Sequence, residues 1–499
     1  MTSGYFQSSG SEHLNWRDAL IIGVAAIICT ATYLMTAKFT AGVGYPLDDA
    51  WIHQTYAINL AEYGEWSFRP GLRSAGSTSP LWSILLSLGY KVNIPHLLWT
   101  NLLGVILLIL VAYLIESTAR TFSQDYRPSV PWVGIYSVFF WQFSWAAFSG
   151  METILNILIL TLALILMIAR STSWVILGLL TGLSVWIRPD GITLVAPAIL
   201  CILLNDDHLH DKAGDLVKYF VGMGALFLPY LIFNLYLEGS PWPNTFYAKQ
   251  AEYISWQAEP LIERTGLVLL QYFAGSNLIL IPGAVLWLYQ KAKERSLPWL
   301  IVAIWLTGFV GIYTLRLPPY QHGRYLMPAM PIFVLFGLLG LIHFFKSTIF
   351  GKRHWFIQTL WITSLAITEI LFILLGARAY SRDVAVIESE MVKTAKWAEA
   401  NLPEDALIAA HDIGALGYFD DHELLDMAGL VSPEVIPFIR DETRLTDYLN
   451  DRGADYLIAF PDFYPRLTKG LEKVYTSDSS FAPMFSQENM TIFRWPSVK

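Results

Sequence analysis

Residues 17–52 read RDALIIGVAAIICTATYLMTAKFTAGVGYPLDDAWI. An apolar run of about twenty residues, the length that crosses a bilayer as a helix, gives way to a Gly- and Pro-bearing connection and then to two adjacent carboxylates, Asp48 and Asp49. The run has no basic segment ahead of it and no convincing cleavage site behind it, so it reads as a retained anchor. After the Asp pair, Ile52, Tyr56, Leu60 and Tyr63 recur at helical spacing. This predicts a helix lying along the membrane surface with an acid at its start. One Asp can cap that helix. The other is free to act as a base or to hold a ligand.

The rest of the chain agrees with a membrane setting. Of 499 residues, 54% are hydrophobic and 15% charged, against about 25% charge in soluble domains. That balance excludes an ordinary soluble enzyme and a disordered chain. The two cysteines, Cys29 and Cys201, sit in apolar runs, so no disulfide scaffold is implied. A net charge of −8 gives no sign of nucleic-acid binding. About eleven apolar segments are candidate spans, near 17–37, 97–117, 130–147, 152–170, 173–188, 190–204, 215–236, 265–289, 298–316, 325–345 and 356–378. Lys and Arg gather in alternate connections, Arg120, Arg127, Lys291, Lys293 and Arg295 among them. This bias puts the N-terminus in the cytoplasm and, with an odd number of spans, the C-terminus outside. The expectation is a polytopic α-helical protein of the plasma membrane. Its transmembrane module covers 1–379, with outer loops at 38–95 and 237–264, and a soluble extracytoplasmic α/β domain covers 380–499. In that tail, 383–400 has a helical apolar period, and 406–410 and 456–460 read as buried strands.

On this topology the unusual polar residues collect at the outer face. After the Asp pair come Ser77-Thr78-Ser79-Pro80-Leu81-Trp82, which reads as a turn and cap opening a further helix over 79–90, with His53 and Arg73 as loose candidates nearby. Glu152 follows Ser149-Gly150-Met151 at a tight turn, where a carboxylate suits a helix start. Arg188 and Asp190 interrupt a long apolar run, and charges at membrane depth are either paired or functional. The second outer loop carries Asn244, Tyr247 and Lys249. Arg324 stands where a span enters the outer leaflet, beside His322, and a guanidinium fork suits a phosphate. In the tail, His411 and Asp412 precede Gly414, and Asp426 precedes Gly429-Leu430; the glycines read as tight turns after a strand. His208 and His210 with Asp206, Asp207 and Asp211 resemble a metal cluster but read better as a solvated inner loop. The chain has no Lys-Ser/Thr-ended phosphate loop, no His-Glu-x-x-His and no Cys-x-x-Cys.

Six of these stretches, Asp48-Asp49-Ala50-Trp51, Gly150-Met151-Glu152-Thr153, Arg188-Pro189-Asp190, Pro243 to Lys249, Arg324-Tyr325 and Gly414 to Leu430, occur in an order that resembles the GT-C glycosyltransferases. Within that group the pattern is similar to the branch holding the terminal arabinofuranosyltransferases of mycobacterial cell walls and mannosyltransferase-like bacterial relatives. Where such relatives often have a Glu-Gly pair, this chain has Ala75-Gly76. The resemblance implies a polyprenyl-phosphate-linked sugar donor and a glycan, glycolipid or protein acceptor of the cell envelope. It places Asp48 or Asp49 at the catalytic acidic position, without choosing between them.

The chemistry expected is inverting sugar transfer, with an Asp as general base. Arg324, Lys249 and His322 would hold the donor phosphate, and Glu152, Arg188, Asp190, Asn244, Tyr247, His411 and Asp412 would line the substrates. No cofactor is expected, and a divalent metal is not favoured. The alternative from another class is a transporter or flippase of lipid-linked sugars, but no internal repeat of the kind common in transporters is visible.

Overall fold

A computed structural model describes residues 15–123, 126–170, 172–205, 208–346, 354–482 and 488–496. The first helix, Trp16–Thr40, opens with a reciprocal cap: Asn15 Oδ1 accepts the Arg17 and Asp18 amides at 2.9 and 3.1 Å, and Asp18 returns the bond to the Asn15 amide at 3.3 Å. Among the described residues, six helices are long and apolar enough to cross a membrane: Trp16–Thr40, His96–Phe122, Leu209–Glu238, Leu297–Arg316, Tyr320–Lys346 and Trp355–Asn401. On His96–Phe122, Leu98, Leu102, Ile106 and Leu110 are between 44 and 61% exposed, while Leu108, Val111, Ala112 and Ile115 on the opposite side are fully buried. An exposed stripe of branched aliphatics at helical spacing belongs in lipid rather than water.

The other expected spans take different forms. Segment 265–289 is a pair of helices, Leu261–Tyr272 and Asn277–Lys293, bent by 96°. The carbonyls freed at the bend are not left bare. Ala274 accepts from Trp141 Nε1 at 3.2 Å and Gln142 Nε2 at 3.1 Å, and Tyr272 from Asn277 Nδ2 at 2.8 Å. Segment 130–147 is two eight-residue helices, Trp132–Phe139 and Trp141–Phe148, broken at the extended Phe140. There the Ser144 hydroxyl donates to the Val138 carbonyl at 2.6 Å, and Tyr33 donates to the Trp141 carbonyl at 3.2 Å. Side-chain hydroxyls thus replace ladder bonds that water cannot supply at this depth. The segments near 152–170, 173–188 and 190–204 are shorter apolar helices, Thr153–Ala169, Trp174–Ile187 and Pro189–Leu203.

Residues 38–95, read from the sequence as the first outer loop, form two short helices, Asp49–Glu62 and Pro80–Lys91, with a small hairpin of β1 (Ser67–Arg69) and β2 (Leu72–Arg73) between them. The last long helix does not stop at residue 379. It runs on through a π-helical turn, Ile387–Val392, into Lys393–Asn401 and so into the tail. The turn aims the Glu390 carboxylate at the end of the tail sheet, where it accepts the Met490 amide and the Asn489 side-chain amide, both at 2.9 Å. Beyond it five strands, β3 (Leu407–Ala410), β4 (Glu423–Asp426), β5 (Tyr456–Ala459), β6 (Glu472–Thr476) and β7 (Thr491–Arg494), form one sheet in the order β4-β3-β5-β7-β6. β4, β3 and β5 are parallel, and β7 and β6 complete the sheet antiparallel.

Helices Trp174–Ile187 and Leu209–Glu238 pack backbone to backbone through Gly178 and Gly182, a spacing that lets membrane helices approach closely. A Cβ at 178 would stand 2.0 Å from the Tyr219 carbonyl oxygen. Gly178→Leu is therefore expected to force the two helices apart and cost about 1–3 kcal/mol. Thermal unfolding in detergent checks this; a midpoint equal to that of the unmodified protein would show that the contact does not hold the pair.

Candidate active site

The acidic pair that opens the first outer helix splits into two environments. Asp48 occupies the N-cap position of Asp49–Glu62 but makes no side-chain bond to that helix. Its carboxylate instead accepts the amides of Gly414 and Ala415 from the tail, at 2.7 and 2.8 Å. Burial and the neighbouring Asp412 push Asp48 up to about 7, against the pull of the two amides. Asp49 faces the other way. Its Oδ2 accepts from Arg324 Nη2 at 2.5 Å and lies 3.8 Å from Lys249 Nζ. Burial works to raise this carboxyl, but Lys249 and Arg324 hold it well below the usual carboxylate range.

Arg324 is 2% exposed and sits just ahead of the buried stretch Met330–Leu341. Its Nη2 also donates to the Tyr325 hydroxyl at 3.0 Å, while Nε and Nη1 have no hydrogen-bond partner among the described residues. Tyr325 gathers the local cations: Arg324 and Arg188 each lie 4.9 Å, and Lys249 5.4 Å, from its ring centre. Arg188 pairs with Glu152 Oε1 at 2.6 Å and with Asp190 Oδ2 at 3.2 Å. Tyr313 bonds Asp190 through its hydroxyl and stacks on Tyr325 with centroids 5.7 Å apart. His53 faces Glu152 Oε2 at 3.4 Å, and its other ring nitrogen meets Ser83 and Ser77. Three cations and three carboxylates thus form one connected network around a single aromatic ring.

Beside the network is a cleft lined by Asp49, Ile52, His53, Gly76, Thr78, Met151, Thr245, Lys249 and Leu430. It takes residues from both outer loops, from the Gly150–Glu152 turn and from the tail. Asp426 shapes the tail's contribution by accepting the amides of Ala428, Leu430 and Val431 at 2.7, 2.5 and 2.7 Å. Asn244 Nδ2 donates to the Leu430 carbonyl at 3.1 Å.

The residues singled out from the sequence distribute unevenly. Asp49, Lys249, Arg324, Glu152, Arg188 and Asp190 come together. Asp48, Asn244, His411 and Asp412 lie along the seam between tail and outer loops. Tyr247 packs its ring on Phe246, 5.4 Å away. His322 is engaged by Asp383 at 2.7 Å and by the Trp145 ring, so its partner is not Arg324. Tyr313, Tyr325 and Glu252 carry no sequence signal of their own beyond the position of Tyr325 next to Arg324. Among the described residues, Glu399, Asp420 and His422 are close enough to share an ion, but both His422 nitrogens already face oxygen acceptors, Asp420 at 3.0 Å and the Pro403 carbonyl at 2.8 Å. Asp206 and Asp207 lie outside the described residues.

A family described as a domain of unknown function (DUF8728) matches residues 380–493. No curated protein sequence matches the chain. Solved structures do match in fold. ArnT from Cupriavidus metallidurans, bound to undecaprenyl phosphate, aligns over 95% of this chain and 97% of its own at 14% identity, with a TM-score of 0.54. The oligosaccharyltransferase AglB from Archaeoglobus fulgidus, in complex with an inhibitory peptide and a dolichol-phosphate, aligns over 89% of this chain and 69% of its own at 12% identity and a TM-score of 0.59. The arabinofuranosyltransferase AftD from Mycobacteria aligns over 97% of this chain and 40% of its own at 15% identity and a TM-score of 0.55. The chain has the GT-C fold. In this GT-C chain the loop bearing Asp49 and the tail meet at one cleft, and the buried Arg324 reaches that cleft through Asp49.

The seam has its own electrostatic signature. His411 Nε2 lies 3.5 Å from Glu252 Oε1, and His411 Nδ1 meets the Tyr464 hydroxyl at 2.6 Å. Burial disfavours the imidazolium, but Glu252 outweighs it and raises His411 from 6.5 to about 9. A histidine raised on folding adds stability that is fully present below its unfolded value and is lost as pH climbs through the folded one. His411→Gln is therefore expected to lower the melting temperature at pH 6 and to make little difference at pH 10. Melting curves of the two proteins across that range check it; a gap that widens with pH contradicts the pairing.

Proposed function

We propose that the protein is a membrane glycosyltransferase that transfers a sugar from a polyprenyl-phosphate carrier to a hydroxylated acceptor at the extracytoplasmic face. The observation that carries this reading is the Asp49–Arg324–Lys249 group beside the cleft, in which a buried guanidinium keeps two donor positions without a partner among the described residues. Unpartnered buried donors of that charge suit a phosphate. The fold supports the reading, and two proteins that share it carry undecaprenyl phosphate and dolichol-phosphate in their solved forms.

The acceptor hydroxyl oxygen attacks the anomeric carbon while the bond from that carbon to the phosphate oxygen breaks. The electron pair leaves with polyprenyl phosphate, whose charge Arg324 and Lys249 stabilise. The acceptor proton passes to Asp49. Attack opposite the leaving group inverts the anomeric centre, through an oxocarbenium-like transition state. Of the two acids, Asp49 is the better placed to act as the base, because it lines the cleft, whereas Asp48 accepts two amides and faces the tail. The arriving phosphate also competes with Asp49 for Arg324 and Lys249, which frees the carboxylate and raises its basicity as the donor binds. His322 is assigned no phosphate contact. The two cations supply the charge that a divalent metal would otherwise bring to the leaving group.

In reconstituted bilayers with labelled polyprenyl-phosphate sugars and envelope acceptors, Asp49→Asn is expected to lower kcat by about 10²–10⁴. Arg324→Ala is expected to weaken donor binding by about one to two orders of magnitude. Transfer is expected to persist in EDTA. Turnover by Asp49→Asn within about threefold of the unmodified protein removes the base assignment. Passage of label across the bilayer without transfer replaces the enzyme by a transporter.

A further inference from the structure

An Asp at an N-cap ordinarily turns its carboxylate onto the free amides of its own first turn, which stabilises the helix by about 1 kcal/mol. Asp48 forgoes that bond and reaches the tail. The contact is built without slack: a Cβ on Gly414 would stand 2.1 Å from the Asp48 carbonyl oxygen and 2.6 Å from its Oδ2. Trp51, one turn further along the same helix, is 2% exposed and packs against Tyr418 and Phe419 of the tail at 4.8 and 4.6 Å. The tail therefore grips the start of the helix whose first residue is Asp49.

It grips a second helix in the same way. Asn244–Glu252 carries Lys249, and both of its ends are tied to the tail. At one end Asn244 donates to the Leu430 carbonyl. At the other, Glu252 Oε1 meets Arg440 Nη2 at 3.1 Å and His411 Nε2 at 3.5 Å, and the Glu252 carbonyl accepts from Arg440 Nε at 3.3 Å. The Asp49–Lys249 pair itself spans 3.8 Å, too far for a hydrogen bond, so it does not hold the two helices together. The loops touch directly through Thr78 and Thr245, but the bonds that fix the two helix ends run to the tail.

We propose that the C-terminal domain is a clamp that sets the separation of Asp49 and Lys249, with Asp48 and Glu252 as its positioning residues. The clamp rests on the reading of Asp49 as base and Lys249 as phosphate ligand, but its geometry can be measured without turnover. Docked, the tail holds base and leaving-group cation across one cleft; undocked, the two outer loops part and acceptor and donor are no longer held in line. A misplacement of about 1 Å costs about a hundredfold in rate.

Spin labels at Glu62→Cys and Phe246→Cys, both exposed in the parent, report the distance between the two helices; the native Cys29 and Cys201 are buried. The full-length protein is expected to give one narrow distance distribution. Gly414→Ala and the isosteric Glu252→Gln are each expected to broaden it, and to lower kcat about a hundredfold at saturating donor. Asp48→Glu is expected to recover part of what Asp48→Asn loses, because it restores a carboxylate to the tail amides. An unchanged distribution in the folded Glu252→Gln variant overturns the clamp, and so does a broadened one with unchanged kcat. Absence of turnover by the parent overturns the functional reading instead, and the distance measurement still decides whether the tail holds the helices.

Discussion

A guanidinium buried at 2% exposure has to be answered by charge, and Arg324 organises the candidate site for that reason. An unpaired cation in such surroundings would cost several kcal/mol. Asp49 supplies the direct answer, and the Tyr325 ring lies against the guanidinium's flank. Arg188 and Lys249 share that ring, and Arg188 draws in its own counter-charges, Glu152 and Asp190, as well. Elements far apart in the chain meet here: the first outer helix, the Gly150–Glu152 turn, the start of the helical stretch after Arg188, the second outer loop and the entry of Tyr320–Lys346. The pairs balance one another only while all of them are in place. Nε and Nη1 of Arg324 have no hydrogen-bond partner among the described residues, so this part of the network has donors left for a further anion.

The tail adds a second constraint of a different kind. Its three parallel strands end toward the outer loops, and the turns that follow them carry His411, Asp412, Gly414 and Leu430 to the seam. In open α/β sheets the crevice beyond the carboxyl ends of the strands is where ligands are met. Here that edge faces the first and second outer loops. The bonds at this edge hold the small domain over the cleft.

What could be read from the chain follows the range of the interactions involved. Helical periodicity and apolar length are local, so Asp49–Glu62, Pro80–Lys91 and the long apolar helices stand where the spacing placed them. Breaks are not local. Phe140 and the bend after Tyr272 depend on Ser144, Tyr33, Trp141 and Gln142 being near enough to satisfy the released carbonyls, which no window of sequence reveals. Polar residues in apolar surroundings stood out for the same local reason, and Asp49, Glu152, Arg188, Asp190, Lys249 and Arg324 do converge. Their partners were less legible. Arg188 pairs with Asp190, two residues away, but more closely with Glu152, thirty-six away. The choice between Asp48 and Asp49 turns on amides 366 and 367 residues downstream. His322 sits beside Arg324 in the chain, yet its left-handed backbone, φ +59°, turns it to Asp383 on the last long helix.

That last helix has a mechanical consequence. Trp355–Asn401 runs 47 residues from the apolar region into the tail, about 70 Å at the usual rise, whereas the hydrocarbon layer is about 30 Å thick. Roughly half of it therefore extends beyond a layer of that thickness. Its far half is tied to the tail sheet through Glu390, so the tail is joined to the apolar helices by one continuous helix as well as by the loop contacts at the seam.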